Sequence, residues 1–86
     1  MEIIVILQAI LSQYTNTDVC VKIVQARFND KDKNDFATLW VDNTRVQITD
    51  GRISILPSTM PEMNVDLDHT VTTMQVIDLI DHFKNK

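Results

Sequence analysis

The stretch FATLWVDNTRVQITDGRISIL, residues 36–56, predicts three strands joined by two tight turns. Apolar and polar residues alternate within 36–41, 44–49 and 52–56, which is the pattern of strands with one buried face. Asp42-Asn43 and Asp50-Gly51 separate the three runs. Asp-Gly is a strong signal for a two-residue hairpin turn, because glycine readily adopts the positive φ that such a turn needs. The stretch therefore predicts an antiparallel meander.

Two-residue turns would also determine the register of the meander, with Val41 opposite Thr44 and Thr49 opposite Arg52. One face of the three strands is then wholly apolar and consists of Ala37, Leu39, Val46, Ile48, Ile53 and Ile55. The second face consists of Phe36, Thr38, Trp40, Arg45, Gln47, Arg52, Ser54 and Leu56. We expect the apolar face to pack on the hydrophobic core.

A further strand is predicted before the meander, at residues 19–28 (VCVKIVQARF). The alternation changes phase between Ile23 and Val24, which indicates either a bulge or a strand covered on both faces. Residues 57–69 (PSTMPEMNVDLDH) contain two prolines, which exclude a continuous element there. The NVDLD part of this connection could add a short edge strand.

Helices are predicted at both ends of the chain. In residues 3–14 the apolar side chains share one helical face, although the β-branched IIVI leaves a strand as the alternative. That face consists of Ile3, Ile4, Ile6, Leu7, Ile10, Leu11 and Tyr14. In residues 73–84, Thr72 and Gln75 fit a capping box before the helix. Its buried stripe is predicted to be Met74, Val76, Ile77, Leu79, Ile80 and Phe83.

These elements predict an α+β fold, a two-layer sandwich in which a four-stranded antiparallel meander carries an N-terminal and a C-terminal helix. A length of 86 residues predicts one domain, residues 1–86. The apolar run at the N-terminus lacks a basic start and is too short to span a bilayer, so we expect no membrane partner.

The net charge of −4 argues weakly against non-specific binding to nucleic acid and is compatible with a basic partner. The single cysteine, Cys20, lies in an apolar run and is predicted to be a buried structural thiol. Because one cysteine cannot form an internal disulfide, we expect a cytoplasmic location.

Metal sites receive little support. Asp30, Asp32 and Asn34 alternate like the first ligands of a calcium loop, but the sixth and twelfth positions hold Asp35 and Val41 instead of glycine and glutamate. This stretch is predicted to be a solvated loop. Two further clusters pair an acid with a histidine, Asp78 with His82 and the DLDH motif ending at His69; whether the two histidines converge is left open. We expect no metal and no cofactor.

Catalytic constellations are not recognisable either. Cys20 and the two histidines lack an activating context for nucleophilic catalysis. A chain with one glycine cannot form a glycine-rich phosphate loop. The expectation is a protein that is not an enzyme.

The second face of the sheet is the most informative surface. Phe36 and Trp40 lie on it, and Arg45 opposite Trp40 would be close enough for a cation–π contact. Arg52 and Leu56 continue the patch. Aromatic residues and arginine dominate binding hot spots. Three readings stay open, in which the face is covered by the chain itself, by a second copy, or by another molecule.

The expected function is a small acidic protein-binding module, an inhibitor or an adaptor. Two alternatives use the second face differently, one as a single-stranded nucleic-acid binder and the other as a structural homodimer.

In size, charge and order of elements, the chain is similar to small acidic α+β proteins encoded by phages, including some anti-CRISPR inhibitors. This likeness of layout implies an inhibitor that blocks a nucleic-acid-binding protein with carboxylates. The acids that would serve are Glu62, Asp66, Asp68, Asp78 and Asp81. The order of elements is also similar to double-stranded-RNA-binding domains, but DHTVTTMQ, at the start of the second helix, lacks the basic residues that those domains use.

Overall fold

The computed structural model describes residues 3–27, 35–49, 51–68 and 70–84. It contains two helices and five strands, in the order α1 Ile3–Tyr14, β1 Val21–Arg27, β2 Phe36–Val41, β3 Thr44–Thr49, β4 Arg52–Leu56, β5 Met63–Asp66 and α2 Thr73–Lys84. The α+β layout with a helix at each end is confirmed, and so are the predicted bounds of both helices and of β2, β3 and β4.

The sheet has five antiparallel strands in sequence order, so the prediction of four was wrong. β5 pairs with β4, with Ser54 opposite Asn64 and Ile53 opposite Val65. The amide of Leu67 continues the ladder by donating to the Gly51 carbonyl at 2.8 Å. The short edge strand that the NVDLD residues could add is present as β5, and its pairing with β4 defines its bounds.

The predicted register of the meander is confirmed at both turns, with Val41 opposite Thr44 and Thr49 opposite Arg52. Asp42 adopts a φ of 53° and Gly51 a φ of 81°, in the left-handed region that tight turns require. Asp42 also holds the start of β1, because its amide donates to the Cys20 carbonyl at 2.8 Å and its carboxylate accepts from the Cys20 amide at 3.0 Å.

The hydrophobic core lies between the apolar sheet face and both helices. All six residues predicted for that face are 0% exposed. α1 contacts β2, α2 contacts β3, and the two helices contact each other. The helical part of the core consists of Ile3, Ile6, Leu7, Ile10, Tyr14, Val76, Ile77, Ile80 and Phe83. Both helices therefore cover the same face of the sheet.

Three residues assigned to the buried stripes are exposed instead: Ile4, Leu11 and Met74, the last at 65%. Ile4 and Leu11 lie at the margin of the apolar arc of α1. A helix that rests on a sheet and one neighbouring helix buries only part of its circumference, so residues at that margin reach solvent. Met74, in the first turn of α2, likewise points away from the sheet.

β1 is an edge strand in which Val21 packs against the core and the other six residues are exposed. The predicted bulge is confirmed as a register shift between Ile23 and Gln25. Coverage on both faces was wrong, since Ile23 is 43% and Val24 is 56% exposed. Cys20 is also exposed, which contradicts its predicted burial. The physical reason is that the helices lie over β2 and β3, and β1 extends beyond them.

The capping box of α2 is confirmed in both directions. The Gln75 amide donates to the Thr72 hydroxyl at 3.2 Å, and the Thr72 amide donates to the Gln75 side-chain oxygen at 2.9 Å. At the other end of the helix pair, the Tyr14 hydroxyl donates to Asp81 at 3.0 Å. None of the helices in the described residues is long and apolar enough to cross a membrane.

Tyr14 is expected to make folding sensitive to alkaline pH. Burial raises the pKa of its phenol, and the hydrogen bond to Asp81 and the charge of that carboxylate add to the shift. The folded state therefore favours the protonated phenol. Its contribution to stability is full below the ordinary tyrosine pKa of about 10 and is lost as the pH rises towards the folded value.

The phenolate absorbance of this single tyrosine measures the effect. We expect phenolate to appear only as the protein unfolds, and the alkaline loss of stability to be smaller in Tyr14→Phe. Ionisation of Tyr14 near its ordinary pKa in a protein that stays folded would contradict this prediction.

Candidate binding face of the sheet

The face of the sheet opposite the core is called the open face here, because both helices pack on the other side. Trp40, which lies on this face of β2, is 38% exposed. The cross-strand register assigns it Lys22, Gln25, Arg27, Phe36, Thr38, Trp40, Arg45, Gln47, Thr49, Arg52, Ser54, Leu56, Asn64 and Asp66. Coverage by the described part of the chain, one of the three readings, is therefore excluded for Trp40.

The residues of the open face form three rows that cross the strands. The central row contains only amides and hydroxyls: Gln25, Thr38, Gln47, Ser54 and Asn64. One flanking row is Lys22, Trp40, Arg45 and Leu56. The other is Arg27, Phe36, Thr49, Arg52 and Asp66. Each flanking row thus combines one aromatic ring with two cations.

The open face is positively charged in a protein whose net charge is −4. The described residues include five lysines and arginines, four of them on this face: Lys22, Arg27, Arg45 and Arg52, with Lys84 on α2. The pairing of the four strands β1 to β4 gathers these cations, although they are spread over 31 positions of the chain, counted from 22 to 52 inclusive.

Glu62 and Asp66 form ion pairs with two arginines of the open face. Arg45 Nη2 is 3.7 Å from Glu62 Oε2, and Arg52 Nε is 3.3 Å from Asp66 Oδ1. Both pairs are on the surface, where such interactions contribute at most about 1 kcal/mol. A partner that supplies its own carboxylates can therefore displace Glu62 and Asp66.

Arg45 lies opposite Trp40, as predicted, but the expected cation–π contact between them is not formed. The Arg45 guanidinium is drawn towards Glu62 instead. On this face the guanidinium of Arg27 lies over the Phe36 ring, 5.6 Å from its centre. The surface of the Trp40 indole is thus not occupied by the arginine opposite it.

The five candidate acids are divided between α2, which carries Asp78 and Asp81, and the segment 62–68 around β5. Glu62 and Asp66 are at the rim of the open face, where they contact its arginines. Asp68 is in the turn before α2; hydrogen bonds from the Thr70 hydroxyl and amide hold the pKa of this carboxyl below its usual range. Asp78 is exposed on α2. Asp81, also on α2, accepts from Tyr14 and lies 3.7 Å from Lys84 Nζ.

Metal-binding geometry is absent from the described residues, where no three His, Cys, Asp or Glu side chains gather closely enough to hold an ion. Asp30, Asp32, Asn34 and His69 lie outside the described residues, so the predictions made for them are not addressed by the structure. Cys20 is exposed, and the Cys20 carbonyl and amide are used by Asp42.

Six residues of the open face were not assigned to it from the sequence: Lys22, Gln25, Arg27, Thr49, Asn64 and Asp66. The first three lie on β1, where the bulge changes which side chains share a face, so simple alternation misassigns one half of the strand. Placing Gln25 and Arg27 beside Thr38 and Phe36 requires the register with β2.

Comparison of the chain with protein-family models, with curated proteins and with solved structures finds no match. The chemistry of the open face is therefore the basis for inferring function.

Proposed function

We propose that this protein is a small non-enzymatic binding module, an adaptor or inhibitor, whose open face holds another protein. The observation that carries the proposal is a sheet face with exposed Trp40, partly exposed Phe36 and four cations, opposite the face that both helices cover. Aromatic residues and arginine supply most of the binding energy in protein interfaces.

The charge of the open face favours an acidic partner surface over the basic partner that the net charge alone suggested. Complementary charge steers association and selects partners. The central row adds amide and hydroxyl groups that can pair with polar groups of the partner; Ser54 and Asn64 already hydrogen-bond to each other at 2.5 Å. The surface thus suits a polar, negatively charged protein.

The open face by itself is smaller than a standard interface. Five strands about 4.8 Å apart and about five residues long give a footprint of roughly 400 Å². Stable protein complexes bury about 800 Å² on each partner. The partner is therefore expected to contact a surface next to the open face as well.

Capture from a cell extract by the immobilised protein tests the proposal when three baits are compared. We expect a specific protein to be retained by the wild type and lost with Arg45→Glu, because the new carboxylate lies beside Glu62 and repels an acidic partner. Met74→Ala is the matched control, since Met74 is an exposed side chain on α2, outside the open face.

Circular dichroism and thermal unfolding would establish that both bait variants are folded. Retention of the same protein by wild type and Arg45→Glu alike would contradict the proposal, since binding would then not use the open face.

Single-stranded nucleic acid is the second candidate ligand, favoured by one observation. Phe36 and Trp40 lie on the same strand and face, four residues or about 13 Å apart, so their rings can stack on two bases of one nucleic-acid strand that are not immediate neighbours. Glu62 and Asp66 argue against nucleic acid as the ligand, because their carboxylates offset the positive charges of Arg45 and Arg52. Quenching of Trp40 fluorescence by oligothymidylate that weakens steeply with salt would favour this candidate.

The proposal includes a cytoplasmic location. Cys20 is the only cysteine of the chain and is exposed. A reducing compartment keeps such a thiol from forming disulfides with other molecules.

A further inference from the structure

The outer edge of β1 is the surface next to the open face that a partner can use. In the described part of the chain, β2 is the strand that pairs with β1, and β1 ends the sheet. Six of its seven residues are exposed and the seventh, Val21, is partly buried. An edge strand of this kind presents unpaired amides and carbonyls that an extended segment can join.

The direction of these backbone groups follows from the hydrogen bond between the Asp42 amide and the Cys20 carbonyl. In an antiparallel ladder, residues alternate between those whose backbone groups face the neighbouring strand and those whose groups face away. Because Cys20 faces Asp42, the backbone groups of Val21 and Ile23 face away from β2. Beyond the bulge, the same alternation continues along β2. The backbone groups of Ala26 therefore also face outward, away from β2.

The side chains of β1 specify what kind of strand fits. On the side of β1 that faces the core, Val21, Ile23 and Ala26 are apolar, and Ile23 is 43% exposed. Towards the open face, the edge presents Lys22, Gln25 and Arg27. β1 contains two cations and no acidic residue.

We propose that β1 is a strand-addition site for an extended acidic segment of the partner protein, in which carboxylates alternate with apolar residues. Residues opposite each other in paired strands share a face, so the carboxylates meet Lys22 and Arg27 while the apolar side chains cover Ile23 and Ala26. The added strand increases the area of contact beyond that of the open face alone. This inference rests on the proposed function and specifies how the partner is held.

A second copy of the chain fits this edge less well than an acidic segment. Pairing of two β1 strands brings four cations together with no carboxylate from either strand, and like charges on adjacent strands are destabilising. An incoming strand pairs on either side of Val24, where the ladder is regular.

Two synthetic peptides test the inference, one alternating glutamate with valine and the other alternating lysine with valine. We expect the glutamate peptide to bind roughly tenfold more tightly or better, measured by fluorescence polarisation. In amide NMR spectra it should shift the signals of Val21, Ile23 and Ala26 more than those of Ile53 and Ile55 in β4. Equal binding of both peptides, or shifts confined to other strands, would overturn the inference.

Two variants separate backbone pairing from charge. Ala26→Pro removes an outward amide at an edge, where proline is tolerated, and should reduce binding of the glutamate peptide. The double variant Lys22→Glu with Arg27→Glu keeps the backbone and should reverse the preference between the peptides, so the test stands even if Ala26→Pro does not fold. An unchanged preference in the double variant would contradict the proposal.

The outcomes also distinguish this inference from the proposed function. If a captured partner is lost with Arg45→Glu but the peptides bind equally, the open face is a binding surface and strand addition is wrong. If the glutamate peptide binds β1 while capture does not depend on Arg45, the edge binds acidic strands and the proposed role of the open face is wrong.

Discussion

Ile48→Ala is expected to lower the free energy of unfolding by about 2–5 kcal/mol, the largest effect of any substitution considered. Ile48 lies on the central strand β3, between Ala37 and Ile53, and is 0% exposed. Truncation removes buried methylene groups and leaves a cavity that the sheet cannot close. For a chain of this length, total stability is about 4–13 kcal/mol, so the loss is a large fraction of it.

Denaturant unfolding of the wild type, Ile48→Ala and Gln47→Ala measures this effect. Gln47 is the neighbouring residue on the same strand, with its side chain on the open face, and its truncation should cost less than about 1 kcal/mol. Comparable losses in the two variants would mean that both faces of the sheet are buried, which would also remove the open face as a binding surface.

Trp40→Ala is expected to weaken association with the partner by about 2 kcal/mol or more, or roughly 30-fold in the dissociation constant. Trp40 is the only tryptophan, is 38% exposed and has Lys22 and Arg45 as its cross-strand neighbours. An aromatic side chain in that position loses its remaining contact with water when a partner covers it. The emission maximum of the free protein should therefore shift to the blue on binding.

Titration with the purified captured partner, followed by Trp40 emission for the wild type and by calorimetry for both proteins, measures the effect. Trp40→Ala should keep its fold, because the ring lies outside the core cluster. Met74→Ala should bind like the wild type. An emission maximum that is already blue in dilute solution, with a Trp40→Ala variant that unfolds, would show that the ring is buried within the monomer.

Several features that bear on function depended on distant parts of the chain. The exposure of β1 and of Cys20 follows from where the helices lie, over β2 and β3. An apolar run such as residues 19–24 has the same composition whether a helix covers it or not. The apolar character of the run predicted burial of Cys20, and that prediction was wrong. The same limit explains Met74, whose apolar character says nothing about the position of the neighbouring helix.

The candidate site was predicted only in part for a similar reason. Phe36, Trp40, Arg45, Arg52 and Leu56 lie on strands joined by tight turns, so their shared face was deduced from alternation. Lys22, Arg27 and Asn64 join them through strands with a bulge or with only four residues, where alternation is uninformative. The position of Glu62 beside Arg45 also depends on how the connection after β4 turns back.

By itself, the sequence determined the two helices, the three-strand meander, its register and its apolar face. These follow from local rules: side-chain periods of 2 and 3.6 residues, positive φ at tight turns, and the reciprocal hydrogen bonds of a capping box. The tertiary structure alone decided that both helices cover one face, that a fifth strand extends the sheet, and that four cations and two aromatic rings meet on the other face. Those outcomes depend on packing and pairing between segments far apart in the chain, which no local pattern encodes.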